Sequence, residues 1–312
     1  MPADQPARVA IVTCGEVPDL HPDDRLLLPP LAAAGVRVEP VAWDAGGVDW
    51  AAYDLAVLRS PWDYAARRDE FVAWATTVPA LANPAPVVEW NTDKRYLTDL
   101  AGAGVPVVPT TWLAPGDPAG WPGASADGVV AVKPAVGAGS ADAGRYDLAD
   151  PGDRRLAAAH VARLHADGRL VMVQPYLPAV DTYGETALLF FAGPDGALAY
   201  SHAVRKGPML TGPYEGPVDL YKAEKISPRT PTAEERAVAE QALAAVPARL
   251  GRLLYARVDL IPGPAGTPLL IELELTEPSL FLDMSTDAAD SLTAAILARL
   301  RRPGRGPEIP VP

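Results

Sequence analysis

Two short stretches near the C-terminal end decide how this chain folds: Tyr255-Ala-Arg-Val-Asp-Leu-Ile261 and Leu270-Ile-Glu-Leu-Glu-Leu-Thr276. Each alternates polar and apolar residues, the period of a β-strand with one buried face. Pro262-Gly263-Pro264-Ala265-Gly266 supplies turn residues between them, so the pair reads as a hairpin over 254–261 and 268–275. Arg257 and Asp259 then share one face, and Glu272 and Glu274 share one, set against Ile271, Leu273 and Leu275. A turn centred between Ala265 and Gly266 places Asp259 opposite Glu272 and Arg257 opposite Glu274, with Cβ atoms about 5 Å apart. Three carboxylates on one sheet face repel, which raises pKa and costs stability. A bound divalent cation removes that conflict, and an all-oxygen donor set suits magnesium shared with substrate phosphates. A solvent-exposed hairpin face tolerates the same alternation, and spacing alone leaves both readings open. Under the metal reading, neutralising Asp259 or Glu272 is expected to abolish function while relieving repulsion, so that folding survives.

Upstream of the hairpin the informative residues are lysines, because there are only five: Lys94, Lys133, Lys206, Lys222 and Lys225. Lys133 interrupts the apolar run Val129-Val-Ala-Val-Lys-Pro134 just before the small-residue loop Gly137-Ala-Gly-Ser-Ala-Asp-Ala-Gly144. A charge there is costly unless it is paired or faces a cleft, and successive backbone N–H groups in the loop could cradle phosphate oxygens. A lysine snorkelling from a strand end is the plainer alternative.

Around these segments the chain divides into three lobes. Residues 8–14, 36–43 and 54–60 are apolar, branched runs suited to buried parallel strands, with helices expected at 23–35 and 65–78, the first distorted by Pro29 and Pro30. Asn91-Thr92-Asp93 is expected to cap a short helix reaching Ala101. This gives a doubly wound α/β lobe over 1–104. A compact α+β lobe follows over 105–178, with strands at 105–113, 128–134 and 170–176, a Gly/Pro/Asp loop before the second, and a helix at 152–167. The third lobe, 179–312, has strands at 185–191 and 197–206, a Gly/Pro/Tyr-rich loop to Pro231, an acidic-capped helix at 232–250, the hairpin, and a last helix at 286–300.

Composition excludes several classes. Of the 312 residues 49% are hydrophobic and 21% charged, as in globular proteins. A net charge of −12 without a basic stripe argues against a nucleic-acid partner. A single cysteine, Cys14, allows neither a disulfide within the chain nor a cysteine zinc site, and the four histidines show no metal spacing. The uncharged stretches, such as 101–116, are short and broken by proline, so no membrane partner is expected. The opening Met1-Pro-Ala-Asp-Gln5 has no basic, then apolar, leader, and the expectation is a cytoplasmic protein. No P-loop, dinucleotide fingerprint or G-x-S-x-G elbow is present.

The order of motifs resembles the ATP-grasp superfamily, which includes D-alanine–D-alanine ligase and glutathione synthetase. N-T-D-K at 91–94, V-K-P at 132–134, V-Q-P-Y-L at 173–177, R-V-D at 257–259 and E-L-E at 272–274 follow one another in that order. The resemblance implies a three-lobed fold of α/β and α+β type, with two lobes enclosing ATP beside the N-terminal lobe. It implies ATP and magnesium as cofactors, Lys94 and Lys133 on the ATP phosphates, and the loop backbone at Gly137, Gly139 and Ser140 beside them. Gln174, Pro175, Tyr176 and Leu177 match the linker that binds adenine, and Glu185 the ribose-binding acid. Arg205 or Lys206 matches the cation beneath the phosphates. Asp259, Glu272 and Glu274 match the magnesium ligands, and Arg257 the arginine near the transferred phosphoryl. Two departures stand out: many relatives carry Asn at the position of Glu274, and the 137–144 loop is not their usual serine-bearing version.

Within the superfamily, R-S-P-W-D-Y at 59–64 and W-N-T-D-K-R-Y-L at 90–97 are similar to actinobacterial proteins akin to the O-ureido-serine cyclo-ligase of cycloserine biosynthesis. The function implied is an ATP-dependent carboxylate–amine ligase that forms an amide through an acyl phosphate, with small amino-acid-like substrates. Arg59 and Trp62 in the N-terminal lobe, with Glu277 and Ser279, are candidates for substrate contacts, Arg59 for a carboxylate and Glu277 for an ammonium. An intramolecular cyclo-ligase, a small-molecule kinase and a non-catalytic nucleotide-binding module are the alternatives, and a homodimer is one assembly the resemblance allows.

Overall fold

The computed structural model describes residues 5–116, 128–216 and 225–301, and three sheets organise them. In the first, β1 (Arg8–Thr13), β2 (Arg37–Ala42), β3 (Leu55–Ser60) and β4 (Leu81–Ala82) run parallel in the order β2-β1-β3-β4. The expected strands are thus present, with β4 added. Pro29 and Pro30 do not distort a long helix here. A 3₁₀ turn over Asp24–Leu27 leads into the short helix Leu28–Ala33, whose first turn takes the prolines, where no N–H is lost.

The second sheet is antiparallel, in the order β5-β8-β6-β7, built from β5 (Thr111–Leu113), β6 (Val129–Pro134), β7 (Gly144–Asp147) and β8 (Val171–Pro175). The helix Pro151–Ala166, capped by Asp150, packs on it through Ala157, Val161 and Leu164. The strand expected from Val105 is broken by Pro106 and Pro109. Only Thr111–Leu113 joins this sheet, while Val107 bridges to Leu270 in the third. Much of the Gly/Pro/Asp loop at 117–127, and part of the later loop with Lys222, lies outside the described residues.

The third sheet has the order β11-β10-β9-β12-β13, from β9 (Glu185–Ala192), β10 (Leu198–Lys206), β11 (Ile226–Arg229), β12 (Tyr255–Pro262) and β13 (Pro268–Glu274). Its two faces separate by residue parity. Leu188, Phe190, Ala256 and Val258 pack beneath the helix Ala233–Ala244, which Thr232 and Glu235 start with a capping box. Leu189, Phe191 and Tyr255 face the first sheet and the last helix, Ala288–Leu300. Further along that second face the pattern turns charged: Glu185, Lys206, Arg257, Asp259, Glu272 and Glu274 follow where the apolar cover ends. No helix among the described residues is long and apolar enough to cross a membrane.

Candidate active site

The hairpin pairs as expected at the site, Arg257 opposite Glu274 and Asp259 opposite Glu272, but by a different route. The turn closes through the N–H of Gly263 donating to the carbonyl of Thr267, which centres it on Ala265. One residue of β13, Ile271, is then extra, and the resulting bulge restores the site register. The bulge also corrects the facing of Ile271. It does not join Leu273 and Leu275 in the core but packs beside Tyr176, Leu177 and Val180, near Ile261.

β13 is a sheet edge, and its outward polar groups are met by side chains rather than a further strand. Leu273 accepts from Asn91 Nδ2 at 2.7 Å and donates to Tyr96 Oη at 2.9 Å. Leu275 donates to Asn91 Oδ1 and accepts from Asn83 Nδ2, both at 2.6 Å. Asn91 is therefore not a helix cap. The preceding helix ends on it (Ala85–Asn91), and the next spans Tyr96–Gly102 with no side-chain cap.

Above the hairpin lies a cavity of about 550 Å³. It gathers Lys94, Lys133, Lys206, Arg257, Glu272 and Glu274 with the loop backbone of Gly137, Gly139 and Ser140, and with Trp62, Glu277 and Ser279. His21, Asp23, Tyr64, Asn91, Phe281 and Asp283 also line it. These six carried no functional signal in the sequence, although Tyr64 and Asn91 fall inside the quoted motifs.

The charges are closely matched. Lys94 donates to the Gly137 carbonyl at 2.8 Å and pairs with Glu272 at 3.2 Å. Burial opposes its charge, but Glu272 outweighs that and its pKa is raised. Lys206 meets Asp259 at 2.8 Å and Glu185 at 3.1 Å. Arg257 grips both oxygens of Asp259, at 2.9 and 3.0 Å, and bridges to Glu274. Lys133 has no hydrogen bond or ion pair among the described residues, and burial lowers its pKa.

The carboxylates differ accordingly. Burial raises the pKa of each, but Arg257 and Lys206 bring Asp259 below its ordinary value, and Lys94 and Lys133 do so for Glu272. Glu274 is the exception: burial, only partly offset by Arg257 and reinforced by Glu272 and Asp259, lifts it to about 8. Repulsion therefore falls on Glu274. Neutralising Asp259 would take a shared partner from two buried cations, leaving Lys206 with Glu185 and Arg257 with Glu274, so that change costs stability as well as relieving repulsion. As folded, no three His, Cys, Asp or Glu side chains among the described residues converge on one metal position. The donor set is nonetheless all oxygen, and the repulsion that falls on Glu274 lies where a hard cation would relieve it.

The loop at 137–144 is held from behind. Ser140 and Asp142 adopt left-handed backbone, with φ of 57° and 55°. Asp142 accepts from Arg163 and Arg169, and Arg169 also donates to the Val136 carbonyl at 2.9 Å, so the loop is braced at both ends. Gly144 has no room for a side chain, since a Cβ would lie 2.6 Å from Tyr146 Oη and 2.8 Å from the Tyr214 nitrogen.

Several expected residues stand elsewhere. Arg205 does not line the cavity: it projects from the opposite face to Lys206 and donates to the carbonyls of Tyr183 and Thr182. Arg59 is fully buried and is no substrate contact. It pairs with Asp24 at 2.9 Å and donates to the Pro278 carbonyl at 2.6 Å, tying β3 to the 277–283 loop. Gln174, Pro175, Tyr176, Leu177 and Glu185 also lie outside the lining. Gln174 donates to Thr110 Oγ1 at 3.0 Å, and Asp259 is sealed beneath Arg257 and Lys206. Trp62 donates through Nε1 to the Glu277 carbonyl at 3.0 Å, and Ser279 offers its carbonyl to Arg257 at 3.1 Å. Burial raises Glu277 to about 7, although the Tyr64 hydroxyl bonds its carboxylate.

Comparison with known proteins places this arrangement. The cycloserine biosynthesis protein DcsG of Streptomyces lavendulae is 42% identical, over 88% of this chain and 94% of its own. The chain belongs to the DcsG family of ATP-grasp ligases. Residues 9–85 match the family described as D-cycloserine synthetase DcsG, N-terminal domain. The crystal structure of D-cycloserine synthetase DcsG superposes with a TM-score of 0.82 at 39% identity, covering 95% of this chain and all of that one. D-Alanine–D-alanine ligase from Bacillus anthracis, solved in complex with ATP, shares the fold alone, at 14% identity and a TM-score of 0.64 over 95% of this chain and 96% of its own. Membership in the DcsG family accords with the three-lobed ATP-grasp architecture and with the ligase expected from the motifs.

Proposed function

We propose that this ligase closes a ring within one small amino-acid substrate, of the O-ureido-serine type, in the making of a cycloserine-like antibiotic. One observation carries the reading: a single cavity is lined both by Lys133, which makes no hydrogen bond or ion pair among the described residues, and by the carboxyl groups of Glu277, Asp23 and Asp283. The cation suits phosphates, the carboxyl groups a substrate ammonium. The terminal phosphoryl of ATP passes to the substrate carboxylate, giving an acyl phosphate and ADP. A nitrogen of the same molecule then attacks the carbonyl carbon, the C–N bond forms, phosphate leaves with the C–O bond's electrons, and the proton shed by the nitrogen passes to the departing phosphate.

The chain's own part is positioning and charge. Lys94 and Lys133 face the phosphates, with the 137–140 backbone beside them, and Arg257 stands nearest the spreading phosphoryl charge. Lys206 holds Asp259 in place. The 174–177 linker, beside the apolar group of Ile261 and Ile271, takes adenine. Asp259, Glu272 and Glu274 are the residues that would hold magnesium, which when bound supplies positive charge to the phosphates.

The test is ADP, phosphate and product mass measured with ATP, Mg²⁺ and serine-derived amino acids, offered singly and in pairs. Turnover with a single compound and a cyclic product is the expected result. A product joining two compounds overturns ring closure, and a phosphorylated end product overturns ligation. Glu272→Gln should lower kcat on the order of 10²–10³-fold, as loss of one preorganised electrostatic group does. Near-normal kcat would remove Glu272 from the metal site.

A further inference from the structure

We propose that Asn91, seconded by Tyr96, is a positioning residue that holds Glu272 and Glu274 in register for their cation. The inference rests on the reading of those carboxylates as metal ligands. An edge strand must find partners for its outward N–H and C=O groups, or water will take them. Along β13 these partners change in kind. Leu270 is served by backbone, donating to the Pro106 carbonyl at 2.8 Å and accepting from the Val108 N–H at 2.9 Å. At Leu273 and Leu275, on either side of Glu274, side chains take over.

The Asn91 amide does there what a neighbouring peptide would do. Its Nδ2 donates to the Leu273 carbonyl and its Oδ1 accepts from the Leu275 N–H, so one planar group spans the Glu274 residue. Asn91 is buried, at 8% exposure, and it borders the cavity itself. Three residues on, Lys94 supplies the countercharge of Glu272. One short segment thus fixes both the backbone beneath the acidic pair and the charge above it. Asn83 offers an internal contrast. It ties Leu275, the residue after Glu274, to Leu254 and Tyr255 at the open end of the hairpin, and it bonds neither Leu273 nor any residue before Glu274 on that strand.

The experiment is calorimetric binding of ADP, with and without Mg²⁺, to the wild type and to Asn91→Ala, Asn83→Ala and Glu272→Gln. Asn91→Ala should lose about 10- to 100-fold of the Mg²⁺-dependent gain in affinity, as loss of a group supporting metal ligands does. Its binding of ADP alone should match the wild type. Asn83→Ala should melt earlier and keep the gain. An equal loss in Asn83→Ala would reduce Asn91 to general sheet support and overturn the proposal, as would an undiminished gain in Asn91→Ala. If Asn91→Ala fails to fold, Tyr96→Phe decides: it removes one hydroxyl, and an unchanged gain overturns the inference. Loss of the gain in Glu272→Gln with retention in Asn91→Ala fells the clamp alone, whereas retention in Glu272→Gln fells the metal reading with it.

Discussion

Arg59 and Arg257 are both buried, both sit on strands, and both pair with a buried aspartate, yet they are built for different ends. Arg59 is sealed: Asp24, the Pro278 carbonyl and the Leu58 carbonyl take its donors, and none of its surface reaches the cavity. Arg257 is shared. Its guanidinium spans Asp259 and Glu274, and it borders open space where further anions can be received. A buried ion pair alone is weak support for either stability or function. What separates the two is what their surroundings leave to be satisfied. Arg59 spends its donors on one aspartate and two carbonyls; around the hairpin burial lifts Glu274 well above an ordinary carboxylate, and Lys133, near Glu272, makes no hydrogen bond or ion pair among the described residues.

The sharpest way to break that comparison is Arg59→Met. Removing one partner leaves Asp24 buried and uncompensated, and about 3–5 kcal/mol of stability should be lost. ATP affinity of the folded protein should be unchanged, because Arg59 does not face the cavity. Thermal melting and nucleotide titration read the two quantities separately. A stable variant with a raised substrate KM would return Arg59 to the substrate and erase the contrast.

How much of this was legible beforehand depends on how far each partner lies along the chain. The hairpin register could be read because both strands and their turn lie within twenty-odd residues, and alternation is a local property. Even so, the agreement at Asp259 and Glu272 came from two one-residue departures that cancel, a turn centred on Ala265 and a bulge at Ile271. The fate of Arg59 could not be read, since its partners are 35 and 219 residues away. Asn91 looked like a helix cap because capping is what a local reading offers an asparagine beside a threonine and an aspartate. Its true partners lie more than 180 residues downstream. The motif around it marked the site without revealing the role.

A second prediction sharpens the contrast through pH. Glu277 lines the cavity, and burial raises its pKa from an ordinary 4.5 to about 7. Between those values the folded state holds a proton that the unfolded chain has released. Its contribution to stability is therefore full below about pH 4.5 and is lost as pH rises through about 7. Melting temperatures of the nucleotide-free protein between pH 5 and 8 should fall more steeply for the wild type than for Glu277→Gln. Parallel curves would mean that the carboxyl is ionised throughout, and that its surroundings are no more charge-starved than those of Arg59.

The smallest effect is expected at Arg205, and it tests whether strand parity assigns the cations correctly. Arg205 and Lys206 are neighbours in sequence, and the motif alone could name either as the cation beneath the phosphates. Pairing of β10 with β9 sets Lys206 opposite Glu185 on the cavity face and Arg205 opposite Thr186 on the other. Arg205 there closes the end of the helix Ala179–Tyr183 by donating to two of its carbonyls. Replacing it with glutamine should cost about 1 kcal/mol or less, since the bonds are partly exposed to water. Turnover and the KM for ATP should stay within about twofold of the wild type, a change of under 0.5 kcal/mol in transition-state free energy. A tenfold fall in kcat would mean that Arg205 reaches the phosphoryl after all. Lobe closure would then have to swing it from one face of the sheet to the other, and the division of this sheet into a packed face and a charged face would fail at β10, a strand paired on both sides.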